Sequence, residues 1–159
     1  MPSQSPAAVP AATNVTPFLW FEKDAEAAAK FYCSIFPDSR LVSASPMTVT
    51  FTLEGRTFMA LNGGPHYRLT PAYSMFVSCQ DQQEVDALWD QLLAGGGKES
   101  QCGWLVDRFG LSWQVIPTRL MELLGDPDAG RRQRATAAML KMQKIDVAAL
   151  ERAAGKTAK

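Results

Sequence analysis

The residues best suited to chemistry lie in the stretch Gly103–Pro117, where an Asp-Arg-Phe-Gly tetrapeptide separates two apolar runs. An Asp and a Gly between apolar runs are typical of a β-hairpin. The two-residue period of a strand places Ser112 and Gln114 on one face and Trp113 on the other. Gln114 has both a hydrogen-bond donor and an acceptor, so this face could bind a polar group of a ligand. The alternative is a buried amide satisfied by neighbouring backbone groups.

Other residues could line a binding site, but each also has a structural interpretation. His66 is the only histidine and lies in a Gly/Pro-rich loop without an identifiable carboxylate partner, which favours a surface or capping role. Trp20 and Trp104 could stack on a ligand or pack in the core. Thr50 belongs to the alternating strand Met47–Leu53, and its face could line a cleft or face solvent.

The chain shows no recognisable nucleophilic or redox pattern. Cys33, Cys79 and Cys102 have no metal-binding or redox spacing, and reduced thiols in a cytoplasm are the simplest explanation. A Ser-His-Asp set would require His66, and no nucleophile is placed near it. The sequence therefore predicts a cytoplasmic location and leaves any catalytic residue unidentified.

Charge and hydropathy predict neither nucleic acid nor membrane as a partner. The 159 residues contain 16 basic and 16 acidic side chains, and no apolar run approaches the length of a membrane span. Residues 1–118 hold seven Lys/Arg and eleven Asp/Glu, whereas residues 119–159 hold nine and five. The basic tail has no aromatic residue, which disfavours a nucleic-acid partner. It is predicted to dock on its own body or on a second subunit.

The predicted secondary structure repeats once along the chain. A strand at Val15–Phe21 precedes a helix capped by Asp24 and three short strands, and a strand at Tyr73–Cys79 precedes a helix capped by Asp81 and three more. Glu84 completes a capping box with Asp81. Two such units side by side would make a curved sheet with helices outside and a cleft inside.

The tail is predicted as two helices, one opened by Asp126-Pro127 and one over Val147–Ala154. Two short helices with small and Met-lined faces should need another surface to pack on. The predicted organisation is a disordered leader over residues 1–14, the paired units over residues 15–118 (about 15–64 and 72–118), and a helical tail over residues 119–159.

Several strings spread over residues 15–150 are specific in composition and order. They are Thr16–Phe21, Ala28–Ile35, Met47–Phe51, Phe58–His66, Gly95–Glu99, Cys102–Leu105 with Asp107, Gly110–Gln114 and Met139–Met142. Together they resemble the PhnB-like group of the vicinal oxygen chelate superfamily, which includes glyoxalase I, extradiol dioxygenases and bleomycin- and fosfomycin-resistance proteins. The resemblance implies an α+β fold of two β-α-β-β-β modules, whose mixed sheet forms a U around a cleft, plus C-terminal helices. It also implies a homodimer, with the tail as the candidate contact.

Enzymes of this superfamily hold a divalent metal in the cleft through His, Glu or Gln. When the metal-ligand positions of these enzymes are transferred to this sequence position by position, they fall on Thr16 or Pro17, near Ser74, near Ala60 or Asn62, and on Gln114. Pro and Ala cannot ligate, Ser and Thr are poor ligands, and Gln and Asn carry no charge. A divalent metal is therefore possible but disfavoured, and no other cofactor is expected.

Members of the group often carry the label demethylubiquinone methyltransferase. A nucleotide-type methyl donor is commonly held by a Gly-rich turn before a helix, and neither Gly63-Gly64 nor Gly95–Gly97 precedes one. The favoured function is binding of a small, partly aromatic or polar molecule in a metal-free cleft. The alternatives are an enzyme, either a metal-dependent lyase or dioxygenase or the labelled methyltransferase, and a dimeric scaffold with a vestigial cleft. The predicted cleft residues are Trp20, Thr50, Asn62, His66, Ser74, Trp104, Ser112 and Gln114.

Overall fold

The computed structural model describes residues 14–155, so the predicted leader lies outside the described residues except for Asn14. In chain order the elements are β1 Phe18–Phe21, α1 Ala25–Ile35, β2 Arg40–Ala44, β3 Thr48–Leu53, β4 Arg56–Asn62, β5 Ser74–Cys79, α2 Gln82–Leu93, β6 Lys98–Glu99, β7 Trp104–Val106, β8 Ser112–Pro117, α3 Thr118–Leu124, α4 Ala129–Met139 and α5 Val147–Ala154. Within this range every helix is too short or too polar to span a bilayer.

The strands form two four-stranded mixed sheets with the same topology. Sheet A has the order β1-β4-β3-β2 and sheet B the order β5-β8-β7-β6. In sheet A β1 pairs with β4 in parallel, and in sheet B β5 pairs with β8 in parallel. All other neighbouring strands are antiparallel. These findings confirm the α+β class and the repeated order of elements. Between residues 14 and 155 no ladder joins the sheets, so β1 and β5 each have one unpaired edge.

Both sheets bury their helix-bearing side in one hydrophobic core. In β3 the buried Val49, Phe51 and Leu53 alternate with more exposed threonines, as expected for a strand with one buried face. The core residues contributed by the two sheets include Leu19, Phe21, Val49, Phe51, Phe58, Leu105, Trp113 and Val115. We call the opposite side of each sheet its front face.

The tip of the β7–β8 hairpin joins the two units. Asp107 is only 3% exposed, and its Oδ2 accepts hydrogen bonds from Tyr32 Oη of α1 at 2.7 Å and from Trp113 Nε1 at 2.9 Å. Its Oδ1 accepts the backbone N–H groups of Phe109 and Leu111 at 2.8 and 3.1 Å. A buried carboxylate is tolerated only when hydrogen-bonded. The position of α1 is therefore coupled to the hairpin.

Aromatic rings surround this carboxylate. Trp113 stacks on Phe36 with ring centroids 5.4 Å apart and meets Tyr32 edge-on at 5.3 Å. The Arg108 guanidinium carbon lies 4.4 Å from the centroid of the Phe31 ring. The aromatic neighbours of Trp113 therefore come from α1 and from the residue that follows it.

Burial raises the pKa of Asp107, and hydrogen bonds from Trp113, Tyr32 and backbone amides oppose the rise. Because the folded protein binds this proton more tightly than the unfolded chain, the contribution to the free energy of unfolding is complete below the ordinary pKa of 3.8 and is lost as pH rises through the raised value. We expect wild type to gain stability relative to Asp107→Asn as pH is lowered from about 7 to about 4. Urea unfolding of both proteins measures this difference, and parallel pH profiles would contradict it.

The two predicted N-caps behave differently. Asp81 Oδ1 accepts the Glu84 N–H at 2.9 Å, and Glu84 Oε2 accepts the N–H of the residue before Asp81 at 2.7 Å. The helix start and the reciprocal contact are thus confirmed, with Glu84 reaching one residue further back than in a standard capping box. Asp24 occupies the N-cap position of α1, but its side chain makes no capping bond. Asn62, at the end of β4, instead accepts the Ala25 N–H at 2.9 Å.

The tail contains three helices where two were predicted. Helix α3 continues directly from β8, α4 is capped by Asp128 rather than Asp126, and α5 has the predicted span. Contrary to expectation, these helices build a hydrophobic cluster of their own with the end of β8. Its buried members are Ile116, Leu120, Leu123, Ala135, Ile145, Leu150 and Ala154.

Polar contacts fix the tail to the second unit. The Gln82 side chain donates to the Ile145 carbonyl at 2.9 Å and accepts the Val147 N–H at 2.8 Å. Lys144 forms an ion pair with Asp86 at 2.8 Å. The tail therefore docks on its own chain, one of the two predicted possibilities.

Two basic residues of the tail are engaged at the end of α5. Arg134 donates to the Ala154 carbonyl, and Arg131 donates to the Gly155 carbonyl and pairs with Asp126 at 2.8 Å. The last carbonyls of a helix have no intrahelical partner and carry partial negative charge, so guanidinium groups suit them. Part of the tail's positive charge is thus used within the tail.

Candidate ligand-binding site

Four of the predicted site residues share the front face of sheet B. The register of β5 and β8 pairs Ser74 with Ser112 and Phe76 with Gln114, and the register of β7 pairs Trp104 with Gln114. Cross-strand neighbours lie about 5 Å apart. Gln114 therefore lies between two aromatic side chains, and the serine pair forms the next row. We call Ser74, Phe76, Trp104, Ser112 and Gln114 the front-face site.

The polar atoms of the front-face site are only partly satisfied by the protein. Gln114 Nε2 donates to Ser74 Oγ at 2.9 Å. Ser112 is 1% exposed, and its hydroxyl has no hydrogen-bond partner within residues 14–155. An unpaired buried polar group costs about 1–3 kcal/mol. The site thus has hydrogen-bonding capacity that the described chain leaves unused.

Aromatic surface flanks this polar centre. Phe76 is 52% exposed although it lies within a strand, and Trp104 is half-buried. Sequence reasoning missed Phe76. Its two-residue spacing from Ser74 was a usable signal, since it places both side chains on one face.

A cavity of about 500 Å³ runs along the unpaired edge of β5. It adjoins the front-face site at Ser74 and Phe76 and reaches the core aromatics Phe36 and Trp113. Its volume falls within the range of small-molecule sites, which are mostly apolar with a few polar groups.

The other predicted residues belong to sheet A and the loop that follows it. Trp20 Nε1 donates to the Gly64 carbonyl at 3.0 Å, and its ring meets Tyr67 edge-on at 5.0 Å. Thr50 is half-buried on the front face of sheet A, and His66 is exposed in the loop. Trp20 is thus held by the segment that follows β4.

Asn62 has a structural role that its position in the sequence did not reveal. Its Oδ1 caps α1, and its Nδ2 donates to the Pro46 carbonyl at 3.0 Å. Both ends of the amide therefore contact backbone. The residue also borders an open cavity of about 620 Å³ beside the start of α1.

Cys33 and Cys79 are poorly suited to nucleophilic chemistry. Burial raises the pKa of Cys33, and burial together with Glu84 and Asp81 raises the pKa of Cys79 to about 11. Since the thiolate is the reactive form, both side chains stay protonated near neutral pH.

The donor set does not suit the metal implied by the superfamily. Within the described range no three His, Cys, Asp or Glu side chains converge. At the carried-over positions, Ala60 is buried and apolar, the Asn62 amide contacts backbone, and the Gln114 amide contacts Ser74. Divalent ions prefer several charged or imidazole ligands. No reaction step through a metal follows from these residues.

Comparison with known structures first defines the fold class. A glyoxalase-related enzyme from Fulvimarina pelagi is 18% identical with a TM-score of 0.50, over 65% of this chain and 87% of that chain. A protein from Pseudomonas aeruginosa is 18% identical with a TM-score of 0.54, over 67% and 98%. The fold is thus that of the glyoxalase-related, vicinal oxygen chelate proteins.

The sequence then defines the family. The 3-demethylubiquinone-9 3-methyltransferase family profile matches residues 13–116, and the chain belongs to this family. A PhnB protein from Bacillus cereus that carries the same family name is 31% identical with a TM-score of 0.60, over 66% of this chain and 99% of that chain. No curated protein matches the chain. The family match ends at residue 116, so α3, α4 and α5 lie beyond it.

Proposed function

We propose that this PhnB-like protein binds a small, partly aromatic and partly polar molecule at the front-face site without a metal ion. The observation that carries the proposal is the partly exposed amide of Gln114, which uses one N–H on Ser74 and lies between the aromatic side chains of Phe76 and Trp104. Phe76 and Trp104 would contact an aromatic ring, and Gln114 would bind a polar group. The adjoining cavity offers room for the rest of the molecule.

A thermal-shift screen of small aromatic molecules tests this proposal. Compounds that raise the melting temperature of wild type should lose most of that shift in Gln114→Ala, because the amide holds their polar group. Gln91→Ala is the matched control, since Gln91 is exposed on α2 away from the site. Hits that Gln114→Ala and Gln91→Ala bind equally well would contradict the site.

The proposal includes a homodimer that covers the unpaired edge of β1. Phe18 on β1 is 53% exposed, and an unpaired edge with an apolar side chain favours association. The tail stays our candidate for a further contact, and its apolar residue Leu140 is 61% exposed.

Phe18→Asp should shift the dimer towards monomer by placing a charge in the contact. Val42→Asp is the control, because Val42 is 47% exposed on β2, the opposite edge strand of sheet A. Leu140→Asp tests the tail in the same way. Sedimentation equilibrium measures all three. A monomeric wild type would contradict the dimer, and an unchanged Phe18→Asp would remove the β1 edge from the interface.

The family description favours a methyltransferase as the second candidate. Its nucleotide-type methyl donor is commonly held by a Gly-rich turn that precedes a helix. Here Gly63-Gly64 leads into a loop and Gly95–Gly97 leads into β6, so neither precedes a helix. S-adenosylmethionine should therefore leave the melting temperature unchanged. A clear stabilisation would favour the methyltransferase over a pure binding protein.

A further inference from the structure

We infer that the ligand of the front-face site is a planar, uncharged ring with an N–H donor beside a carbonyl-type acceptor on one edge, as in a lactam. This inference rests on the proposed function and narrows it to one chemical class. It depends on the unused atoms of Gln114, on the two aromatic neighbours and on the absence of charge in the site.

The amide of Gln114 has a free edge. Its Nε2 has two N–H groups, one of which is used by Ser74. In residues 14–155 no donor contacts Gln114 Oε1. The second N–H and Oε1 stay available on the amide, and a Gln side chain can pair through an N–H and its carbonyl oxygen with a group that offers the complementary pair of atoms. A lactam offers an N–H beside a C=O and matches this edge.

The flanking side chains require a flat molecule. Phe76 and Trp104 lie on either side of Gln114 in one row across three strands. A ring bound edge-on to the amide would contact one or both aromatic side chains, which prefer stacked or edge-to-face neighbours.

The five residues of the front-face site provide no countercharge for an ion, and the charged side chains Glu54 and Arg56 line only the adjoining cavity. All five residues of the front-face site are uncharged. The nearest charge in the register is Lys98, which pairs with Val106, itself the partner of Ser112. Lys98 is exposed and lies two strands from Ser112, or about 10 Å. Since removing an unpaired charge from water is costly, the ring that binds at the front-face site is expected to be uncharged.

Three probes that lose the polar atoms of the lactam edge in steps test the inference by calorimetric titration of the full chain. Isocarbostyril has the lactam edge, N-methylisocarbostyril lacks the donor, and naphthalene lacks both polar atoms. We expect wild type to bind isocarbostyril at least about tenfold more tightly than the other two, because N-methylisocarbostyril leaves Gln114 Oε1 without a donor and naphthalene leaves both Oε1 and the N–H without a partner. Gln114→Leu should lose this preference, and Gln91→Leu should keep it.

The outcomes separate this inference from the proposed function. Equal affinities of wild type for the three probes, with Phe76→Ala weakening all of them, would overturn the lactam edge and leave an aromatic site in place. Failure of isocarbostyril to bind, while hits of the thermal-shift screen still depend on Gln114, would likewise overturn only this inference. Binding that neither Phe76→Ala nor Gln114→Leu weakens would contradict both.

Discussion

Asp107→Ala is expected to lower the free energy of unfolding by about 3–5 kcal/mol. The carboxylate accepts four hydrogen bonds, from Tyr32 Oη, Trp113 Nε1 and two backbone N–H groups. Alanine would leave these buried donors without an acceptor and would open a space between α1 and the hairpin. Urea denaturation followed by circular dichroism measures the loss.

Tyr32→Phe is the matched control for this prediction. It removes one donor and leaves the carboxylate with three, so the expected loss is about 1 kcal/mol. If Asp107→Ala cost no more than Tyr32→Phe, Asp107 would not be the residue that couples the two units. Where Asp107→Ala fails to fold, Asp107→Asn supplies a milder variant with the same shape.

Gly103→Ala is expected to cost roughly 2–4 kcal/mol, for two physical reasons. Gly103 has φ +83°, a conformation that residues with a Cβ rarely adopt. An added Cβ would also lie 2.8 Å from Ile116 Cδ1 and 3.0 Å from Ile145 Cγ1. The Gly103 N–H donates to the Gln143 carbonyl at 2.7 Å, so the clash would separate the tail from sheet B. Urea denaturation measures this loss as well.

Gly110→Ala distinguishes the cost of the backbone conformation from the steric cost of the added Cβ. Gly110 has φ +90°, and nothing lies within 4 Å of the position that a Cβ would take. It should therefore show only the backbone cost, about 1 kcal/mol. Equal losses of stability for the two variants would show that Ile116 and Ile145 impose no steric cost on a Cβ at position 103.

The sequence allowed much of the fold to be predicted, because several elements carry local signals. The alternation of β3 and the start of α2 could be read from neighbouring residues, and α5 has an Asp cap and a terminal Gly. Helix α3 was missed because it starts straight from a strand without a side-chain cap. The capping of α1 by Asn62 was missed because the two partners lie far apart in sequence.

Only part of the candidate site could be predicted from the sequence, because its contacts join residues of different strands that lie far apart in the chain. The two-residue period placed Ser112 and Gln114 on one face, but the register between strands cannot be read from one strand. The Ser74–Gln114 hydrogen bond and the position of Phe76 beside the amide depend on that register. The role of Asp107 depends on α1, which lies about 75 residues earlier in the chain.

An NMR titration tests the front-face site most directly. The chain has four tryptophans, and the indole N–H groups of Trp89 and Trp113 are bonded to Glu99 and Asp107. With an aromatic hit of the thermal-shift screen, we predict shifts of the Trp104 indole signal and the Gln114 side-chain amide signals, while the signal of Trp89, which does not line the site or its cavity, stays unchanged. Binding without any shift of Trp104 and Gln114 would contradict ligand binding at the front-face site.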